Sequence, residues 1–160
     1  MATKVLFVCL GNICRSPSAE GIMNHLLTQT GHSHKIHCDS AGTAAYHVGK
    51  PPDRRMAAAA KAQGISLSGK ARQAQVEDLK HFDWILAMDQ QNYQDLQALD
   101  RSGAYQDKIR LMCDFCTQFS DREVPDPYYG GPDGFTYVID LLQDACRGLL
   151  NELIRDVKDA

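Results

Sequence analysis

The chain has 160 residues, of which 44% are hydrophobic and 23% charged, and its formal net charge is -3 at pH 7. This length is typical of one domain with a hydrophobic core, so we expect residues 1–160 to form a single domain. The weakly acidic charge argues against broad binding to nucleic acid or to an anionic membrane.

The first predicted element is a buried strand over residues 4–8. This run is mostly apolar and β-branched, which is typical of a strand covered on both faces. Cys9 is therefore expected at the carboxyl edge of the strand. Ser16 and Pro17 indicate the start of a helix, with Ser16 as its N-cap, and apolar residues continue it at helical spacing.

The loop between this strand and helix has the composition of a phosphate cradle. It consists of Cys9, Leu10, Gly11, Asn12, Ile13, Cys14, Arg15 and Ser16. N–H groups at a helix N-terminus and the positive end of the helix dipole favour an anion, and Gly11 lets the chain curl so that these groups converge. The planar guanidinium of Arg15 matches two phosphoryl oxygens. We therefore expect this loop to bind one phosphoryl group.

Cys9 is the predicted nucleophile. A thiol beside a guanidinium and a helix N-terminus loses its proton readily, and the thiolate is the reactive form. We assign Arg15 to the stabilisation of transition-state charge, Ser16 to a hydrogen bond with the departing sulfur, and Asn12 to the shape of the loop. A Walker-type nucleotide loop is excluded, because the second glycine and the Lys-Ser/Thr pair that it needs are absent.

The remaining elements alternate between strands and helices. Strands are predicted over residues 35–41, 83–88 and 109–112, and helices over 52–63, 90–99 and 136–157. This alternation predicts a parallel sheet with its ligand site at the carboxyl ends of the strands, where Cys9 lies. The expected fold is a three-layer, flavodoxin-like α/β sandwich with a four-stranded parallel sheet in the order 2-1-3-4.

Phosphoryl transfer to a cysteine also needs an acid that protonates the departing oxygen. Asp126 is the candidate, because Pro125 and Pro127 restrict the conformation of its loop. In a second step the same side chain would accept a proton from water.

Three tyrosines are the predicted substrate-binding residues. Tyr128 and Tyr129 directly follow the acid loop, and Tyr46 follows the second strand. Aromatic walls around a phosphate site favour phosphotyrosine over the shorter phosphoserine.

Three motifs resemble those of the low molecular weight protein tyrosine phosphatases, over nearly the whole chain. CLGNICRSPSAE is similar to the signature loop of that family, DSAG around Ser40 to its supporting loop, and VPDPYYGG around Asp126 to its acid loop. The resemblance implies that Cys9 is the nucleophile, Arg15 the phosphate clamp and Asp126 the proton donor. It also implies that Asn12 and Ser40 support the loop through hydrogen bonds.

The resemblance further implies a reaction and its partners. The expected activity is hydrolysis of phosphotyrosine, and of small aryl phosphates, through a phosphocysteine without a cofactor. Proteins that contain phosphotyrosine are the expected substrates, inorganic phosphate the product, and a tyrosine kinase a candidate partner. Relatives of the eukaryotic type carry a bracing histidine where this chain has Gly69, so the loop is expected to be held differently here.

Six cysteines in a chain of this size are compatible with secretion. However, no apolar signal segment or spanning segment is present and the nucleophile must stay reduced, so we expect a cytoplasmic monomer that does not insert into membranes. The resemblance implies that Cys14 can form a reversible disulfide with Cys9, which makes the enzyme redox-regulated. Cys113 and Cys116 form a C-x2-C pair, but no second pair at zinc-site spacing follows, and no metal site is predicted.

Two other functions remain open on the sequence. Arsenate reductases use the same fold and loop and pass electrons through additional cysteines, a role open to Cys113 and Cys116. The Asp126 segment argues against this function, because protonation of a leaving group is a requirement of phosphatases. A noncatalytic phosphotyrosine-binding or redox-sensing module would keep the cradle without turnover, although every proposed catalytic residue is present.

Overall fold

Four strands form a fully parallel sheet in the order β2-β1-β3-β4, as predicted. The strands are β1 Thr3–Cys9, β2 Ile36–Gly42, β3 Trp84–Ala87 and β4 Ile109–Leu111, and every bound lies within one residue of its predicted position. The structure, a computed structural model, describes residues 2–128 and 130–159.

Five α-helices occur in the described part of the chain. They are α1 Arg15–Thr30, α2 Arg54–Lys61, α3 Val76–His81, α4 Gln90–Leu99 and α5 Pro132–Asp159. The sequence predicts four of them, whereas α3 has only six residues, which is too short for an apolar period to be recognised. Over residues 2–128 and 130–159, none of the helices combines the length and apolar character needed to cross a membrane.

The predicted ends of two helices, α2 and α5, differ from those in the structure. Helix α2 is two residues shorter at each end than predicted, and α5 begins four residues earlier, at Pro132. The segment Pro132-Asp133-Gly134 has the composition of a turn. However, proline is favourable at the first helical position and an acidic residue in the first turn complements the helix dipole, so the helix begins there.

The sheet separates two hydrophobic cores, because successive residues of a strand point to opposite faces. On one face Val5 and Phe7 pack with buried residues of α1, α2 and α5. On the other face Leu6 and Val8 pack with buried residues of α3 and α4, including Leu96. The architecture is therefore the three-layer, flavodoxin-like sandwich that the sequence predicts, with the end of β1 held between two packed layers.

Candidate active site

The candidate active site is a cavity where β1 ends and α1 begins. Cys9 is the last residue of β1, and Arg15 is the first residue of α1. The cavity is lined by Cys9, Leu10, Gly11, Ile13, Cys14, Arg15, Tyr46, His47, Asp126 and Tyr128. The fold thus brings the predicted nucleophile, clamp, acid and two of the three predicted tyrosines to one cavity. Tyr129 lies outside the described residues.

The start of α1 differs from the prediction. Its N-cap is Cys14, which makes no side-chain capping hydrogen bond, and Ser16 is the second residue of the helix. The prediction that Ser16 is the N-cap was therefore wrong. A first turn without a side-chain cap leaves its N–H groups available to a ligand, which is the requirement of an anion cradle.

The tight turn of the loop lies at Asn12 and the close packing at Gly11. Asn12 has a positive φ of 58°, a left-handed conformation that asparagine tolerates better than most residues. A Cβ atom on Gly11 would lie 2.8 Å from the ring of His47, so a larger residue would force that ring to move. The loop shape therefore depends on both positions, for two different reasons.

A buried hydrogen-bond chain leads from Asn12 to the sulfur of Cys9. The side-chain amide of Asn12 donates to Ser16 Oγ at 2.8 Å, and Ser16 Oγ lies 3.0 Å from Cys9 Sγ. The amide occupies an acceptor position of the hydroxyl, whose proton can point toward the Cys9 sulfur or toward the carbonyl oxygen of Ala41, 3.3 Å away. All three residues are buried. The geometry fits the predicted role of Ser16 as a donor to the sulfur.

Ser40 supports Asn12 from the end of β2. Its hydroxyl accepts a hydrogen bond from the Asn12 amide at 3.0 Å and donates one to Glu20 Oε1 at 2.6 Å. Burial raises the pKa of the Glu20 carboxyl, and the hydrogen bond from Ser40 offsets only part of that rise. Glu20, the last residue of the CLGNICRSPSAE motif, is therefore a member of the support whose role was not predicted.

Arg72 supplies a further support near the position of Gly69. Its backbone N–H donates to Asn12 Oδ1 at 3.0 Å. Its guanidinium bridges Asp39 at 2.9 Å and Asp78 at 3.0 Å. An arginine three residues after Gly69 thus links acidic neighbours to the loop.

Arg15 is buried and held in one orientation. Its Nη1 atom donates to Asp89 Oδ2 at 2.6 Å and to the carbonyl oxygen of Val124 at 3.0 Å. Burial alone would lower the pKa of Arg15, but the nearby Cys9 sulfur and the Asp89 carboxylate raise it above its usual value. The side chain is therefore a fixed cation at the floor of the cavity.

Asp89 is the residue that sequence reasoning missed at this floor. It follows β3 and also caps α4, because its Oδ1 atom accepts a hydrogen bond from Asn92 N–H at 2.8 Å. An acidic N-cap after a buried strand is visible in the sequence. Its pairing with Arg15, 74 positions away in the chain, has no local sequence signal.

Asp126 faces Arg15 across the cavity. Its Oδ2 atom lies 3.6 Å from Arg15 Nη2, and its Oδ1 atom accepts a hydrogen bond from the N–H of Tyr128 at 3.1 Å. The loop that carries it is anchored next to the end of β3, where Val124 N–H donates to the carbonyl of Met88 at 2.8 Å. The side chain of Asp126 is 36% exposed, so its carboxyl is accessible to a substrate and to water.

Aromatic rings form the rim of the cavity. Tyr46 is highly exposed, and the rings of Tyr128 and His47 lie 5.7 Å apart. The Nδ1 atom of His47 is buried without a hydrogen-bond partner. Sequence reasoning missed His47, although it directly follows Tyr46. The rim provides flat apolar surfaces above a cationic floor, the arrangement that an aryl phosphate requires.

Cys113 and Cys116 do not line this cavity. Cys113 lies in the 3₁₀ helix Met112–Phe115, and Cys116 directly follows it. Burial raises the pKa of both thiols, that of Cys116 to about 11, so both are protonated near neutral pH. In residues 2–128 and 130–159, no three His, Cys, Asp or Glu side chains are grouped to hold a metal ion.

Comparison with known proteins gives consistent results. Residues 4–159 match the model of the family described as low molecular weight phosphotyrosine protein phosphatase. A Synechocystis protein that is provisionally named a low molecular weight protein-tyrosine-phosphatase is 56% identical over 96% of this chain and 98% of its own length. The human low molecular weight phosphotyrosine protein phosphatase is 41% identical over 94% of this chain and 96% of its own.

One solved structure is similar to this chain over nearly its whole length. The crystal structure of a protein tyrosine phosphatase from Entamoeba histolytica, with Hepes in its active site, superposes with a TM-score of 0.92 and 46% identity. The match covers 97% of this chain and 99% of the other.

Proposed function

The chain belongs to the low molecular weight phosphotyrosine protein phosphatase family and is a cysteine-dependent protein tyrosine phosphatase, and we propose that it acts through a phosphocysteine on Cys9. One observation carries this assignment: the sulfur of Cys9, the guanidinium of Arg15 and the carboxyl of Asp126 line the same cavity. The family match over residues 4–159 also supports the proposal that residues 1–160 form one domain of this type.

In the first step the Cys9 thiolate attacks phosphorus. The S–P bond forms while the bond from phosphorus to the tyrosine oxygen breaks, and Asp126 gives its proton to that oxygen. The N–H groups of the loop and the guanidinium of Arg15 hold the equatorial oxygens, on which negative charge is spread in the transition state. Tyrosine leaves, and phosphate remains on Cys9.

In the second step water attacks the phosphocysteine. Asp126, now a carboxylate, accepts a proton from the water as the new P–O bond forms and the S–P bond breaks. The hydroxyl of Ser16, 3.0 Å from the sulfur, stabilises the thiolate as it leaves. Inorganic phosphate is released and the enzyme returns to its starting state.

The rim favours phosphotyrosine. When the phosphate lies on the floor, the phenyl ring of the substrate lies between Tyr46 and Tyr128. The side chain of phosphoserine is shorter, so its phosphate would not reach from the rim to the floor. Tyr129 is proposed as a further substrate-binding residue. Ile13 lines the cavity with an apolar side chain, which also suits an aromatic substrate. We propose phosphotyrosine proteins in the cytoplasm as substrates and a tyrosine kinase as a partner.

Cys14 is proposed as the redox partner of Cys9. Both thiols are buried residues of the same short loop and line the same cavity. A disulfide between them would inactivate the enzyme reversibly and protect the nucleophile from further oxidation.

The two alternatives have less support. The relatives reported above are tyrosine phosphatases, and Cys113 and Cys116 lie outside the cavity that an arsenate reductase would need them to serve. A noncatalytic module would not require an acid opposite the clamp.

A Cys9→Ser variant tests the proposal. We expect it to bind a phosphotyrosine peptide without hydrolysing it, because the serine hydroxyl is not ionised at neutral pH. Cys116→Ser is the matched control, since it removes a thiol outside the cavity, and it should keep the activity of the wild type. Substantial turnover by Cys9→Ser would refute the assigned nucleophile.

A further inference from the structure

We propose that Arg55 is a positioning residue that holds the acid loop over the phosphate loop. This inference rests on the proposed role of Asp126 and adds a residue that does not line the cavity around Cys9. It concerns the position of the acid rather than the binding of phosphate.

Arg55 lies on the second position of α2 and contacts the acid loop in two ways. Its Nη2 atom donates a hydrogen bond to the carbonyl oxygen of Tyr128 at 3.1 Å. Its guanidinium carbon also lies 5.3 Å from the centre of the Tyr128 ring. The same carbon is 4.7 Å from the ring centre of Phe135, on the first turns of α5. The guanidinium thus holds both the loop and the helix that follows it.

Asp53 connects Arg55 to the phosphate loop. The Nε and Nη2 atoms of Arg55 donate to the two carboxylate oxygens of Asp53 at 3.3 and 3.1 Å. The backbone N–H of Asp53 in turn donates to the carbonyl oxygen of Ile13 at 2.8 Å. A continuous path of hydrogen bonds therefore runs from the loop that carries the nucleophile to the loop that carries the acid.

This path ends two residues from the acid. The N–H of Tyr128 donates to Asp126 Oδ1 at 3.1 Å, so the residue whose carbonyl oxygen Arg55 holds also orients the carboxyl of Asp126 through its N–H group. The contact from Arg15 to Asp126 is 3.6 Å long and does not by itself fix that carboxyl. A proton donor must be placed within a few tenths of an ångström of its acceptor to be effective, so a loosened loop lowers the rate of proton transfer.

The charge of Arg55 is not required for the fold of α2. Asp53 caps this helix through the N–H groups of Arg55 and Met56, at 2.9 and 3.3 Å, and alanine keeps both of these N–H groups. The side chain of Arg55 is half exposed. Arg55→Ala should therefore remain folded, and any loss of activity reports the lost contacts.

The test compares leaving groups. In Arg55→Ala we expect kcat/KM for a phosphotyrosine peptide to fall ~10-fold, which corresponds to about 1.4 kcal/mol of transition-state stabilisation. For p-nitrophenyl phosphate, whose leaving group needs little protonation, we expect less than a ~3-fold loss. Arg55→Lys should recover part of the loss, because lysine can still donate to the Tyr128 carbonyl but lacks the planar fork.

Arg54→Ala is the matched control, since Arg54 is the neighbouring exposed cation on the same helix. If the loss in Arg55→Ala comes from its specific contacts and not from the loss of a positive charge, Arg54→Ala should change kcat/KM by less than ~2-fold for both substrates. Equal losses on both substrates in Arg55→Ala, or no loss on either, would overturn the inference.

A double variant separates this inference from the proposed function. If Arg55 acts through the acid, then adding Arg55→Ala to Asp126→Ala should cause no further loss in kcat/KM. An additional ~10-fold loss would show that Arg55 acts by another route and would overturn the inference. Failure of the proposed function would be seen in the wild type, as an absence of any phosphocysteine on Cys9.

Discussion

Replacement of Asn12 provides a direct test of how the phosphate loop is held. Asn12 is buried, it has a positive φ of 58°, and its amide group takes part in three hydrogen bonds. These bonds join it to Ser16 at 2.8 Å, to Ser40 at 3.0 Å and to the N–H of Arg72 at 3.0 Å. Alanine removes all three bonds and must adopt the same left-handed conformation.

The cost can be worked out from these contacts. Each hydrogen bond contributes about 1 kcal/mol net, so the loss of three lowers the free energy of unfolding by about 3 kcal/mol. The left-handed conformation adds about 1 kcal/mol for alanine, a penalty that glycine does not incur. We therefore expect Asn12→Ala to be destabilised by about 4 kcal/mol and Asn12→Gly by about 3 kcal/mol.

Urea unfolding of the wild type and both variants measures these differences. We expect glycine to be the more stable replacement, and we expect kcat/KM to fall in both variants because Ser16 is no longer oriented toward Cys9. A loss below ~1 kcal/mol in both variants would refute the account of the hydrogen-bond network. Equal stability of the two variants would refute the argument from the positive φ.

Three further predictions concern the acid, the redox partner and a buried carboxylate. Asp126→Ala should lower kcat/KM for phosphotyrosine by ~100-fold to 10,000-fold, or roughly 3 to 5 kcal/mol, with a much smaller loss on p-nitrophenyl phosphate; equal losses would contradict the acid role. Under hydrogen peroxide the Cys9 thiolate becomes a sulfenic acid, and Cys14 displaces its hydroxyl as water to form a disulfide. Dithiothreitol should then restore activity in the wild type but not in Cys14→Ser, and equal recovery would contradict the pairing. Burial would raise the pKa of Asp144, but the N–H groups of residues 117–119 lower it to about 2. A carboxyl whose pKa is lowered by folding stabilises the folded state above pH ~4, so Asp144→Asn should lower the free energy of unfolding by about 2 kcal/mol at pH 7. This difference between the variant and the wild type should vanish as the pH falls toward 2. A difference in urea unfolding that does not change with pH would contradict this reasoning.

Much of the fold could be predicted because its signals are local. The apolar run before Cys9 and the alternation of strands with helices are sufficient for the parallel sheet, and the expected strand order 2-1-3-4 is the order in the structure. Helix α3 could not be predicted, because its six residues have no recognisable period and its start depends on the reciprocal hydrogen bonds between Gln75 and Asp78. The start of α1 could not be predicted either. Ser16 is of a residue type that often caps helices, but in the structure its hydroxyl lies next to the sulfur of Cys9.

The candidate site, too, could be predicted only in part. Cys9, Arg15 and Asp126 stand in short motifs, so their residue types and neighbours predict their chemistry. The partners that hold them come from distant parts of the chain. Asp89 lies 74 positions from Arg15, and Arg55 lies 73 positions from Tyr128, so only the packed fold brings them together.

The most direct test of the mechanism is a single turnover of the wild type with a phosphotyrosine peptide. The reaction is stopped with acid within one turnover and the digested protein is analysed by mass spectrometry. The account predicts a phosphate adduct on the peptide that contains Cys9, formed at the same rate as tyrosine is released and absent from Cys9→Ser. Steady turnover without an adduct on Cys9, or with the adduct on another residue, would contradict it.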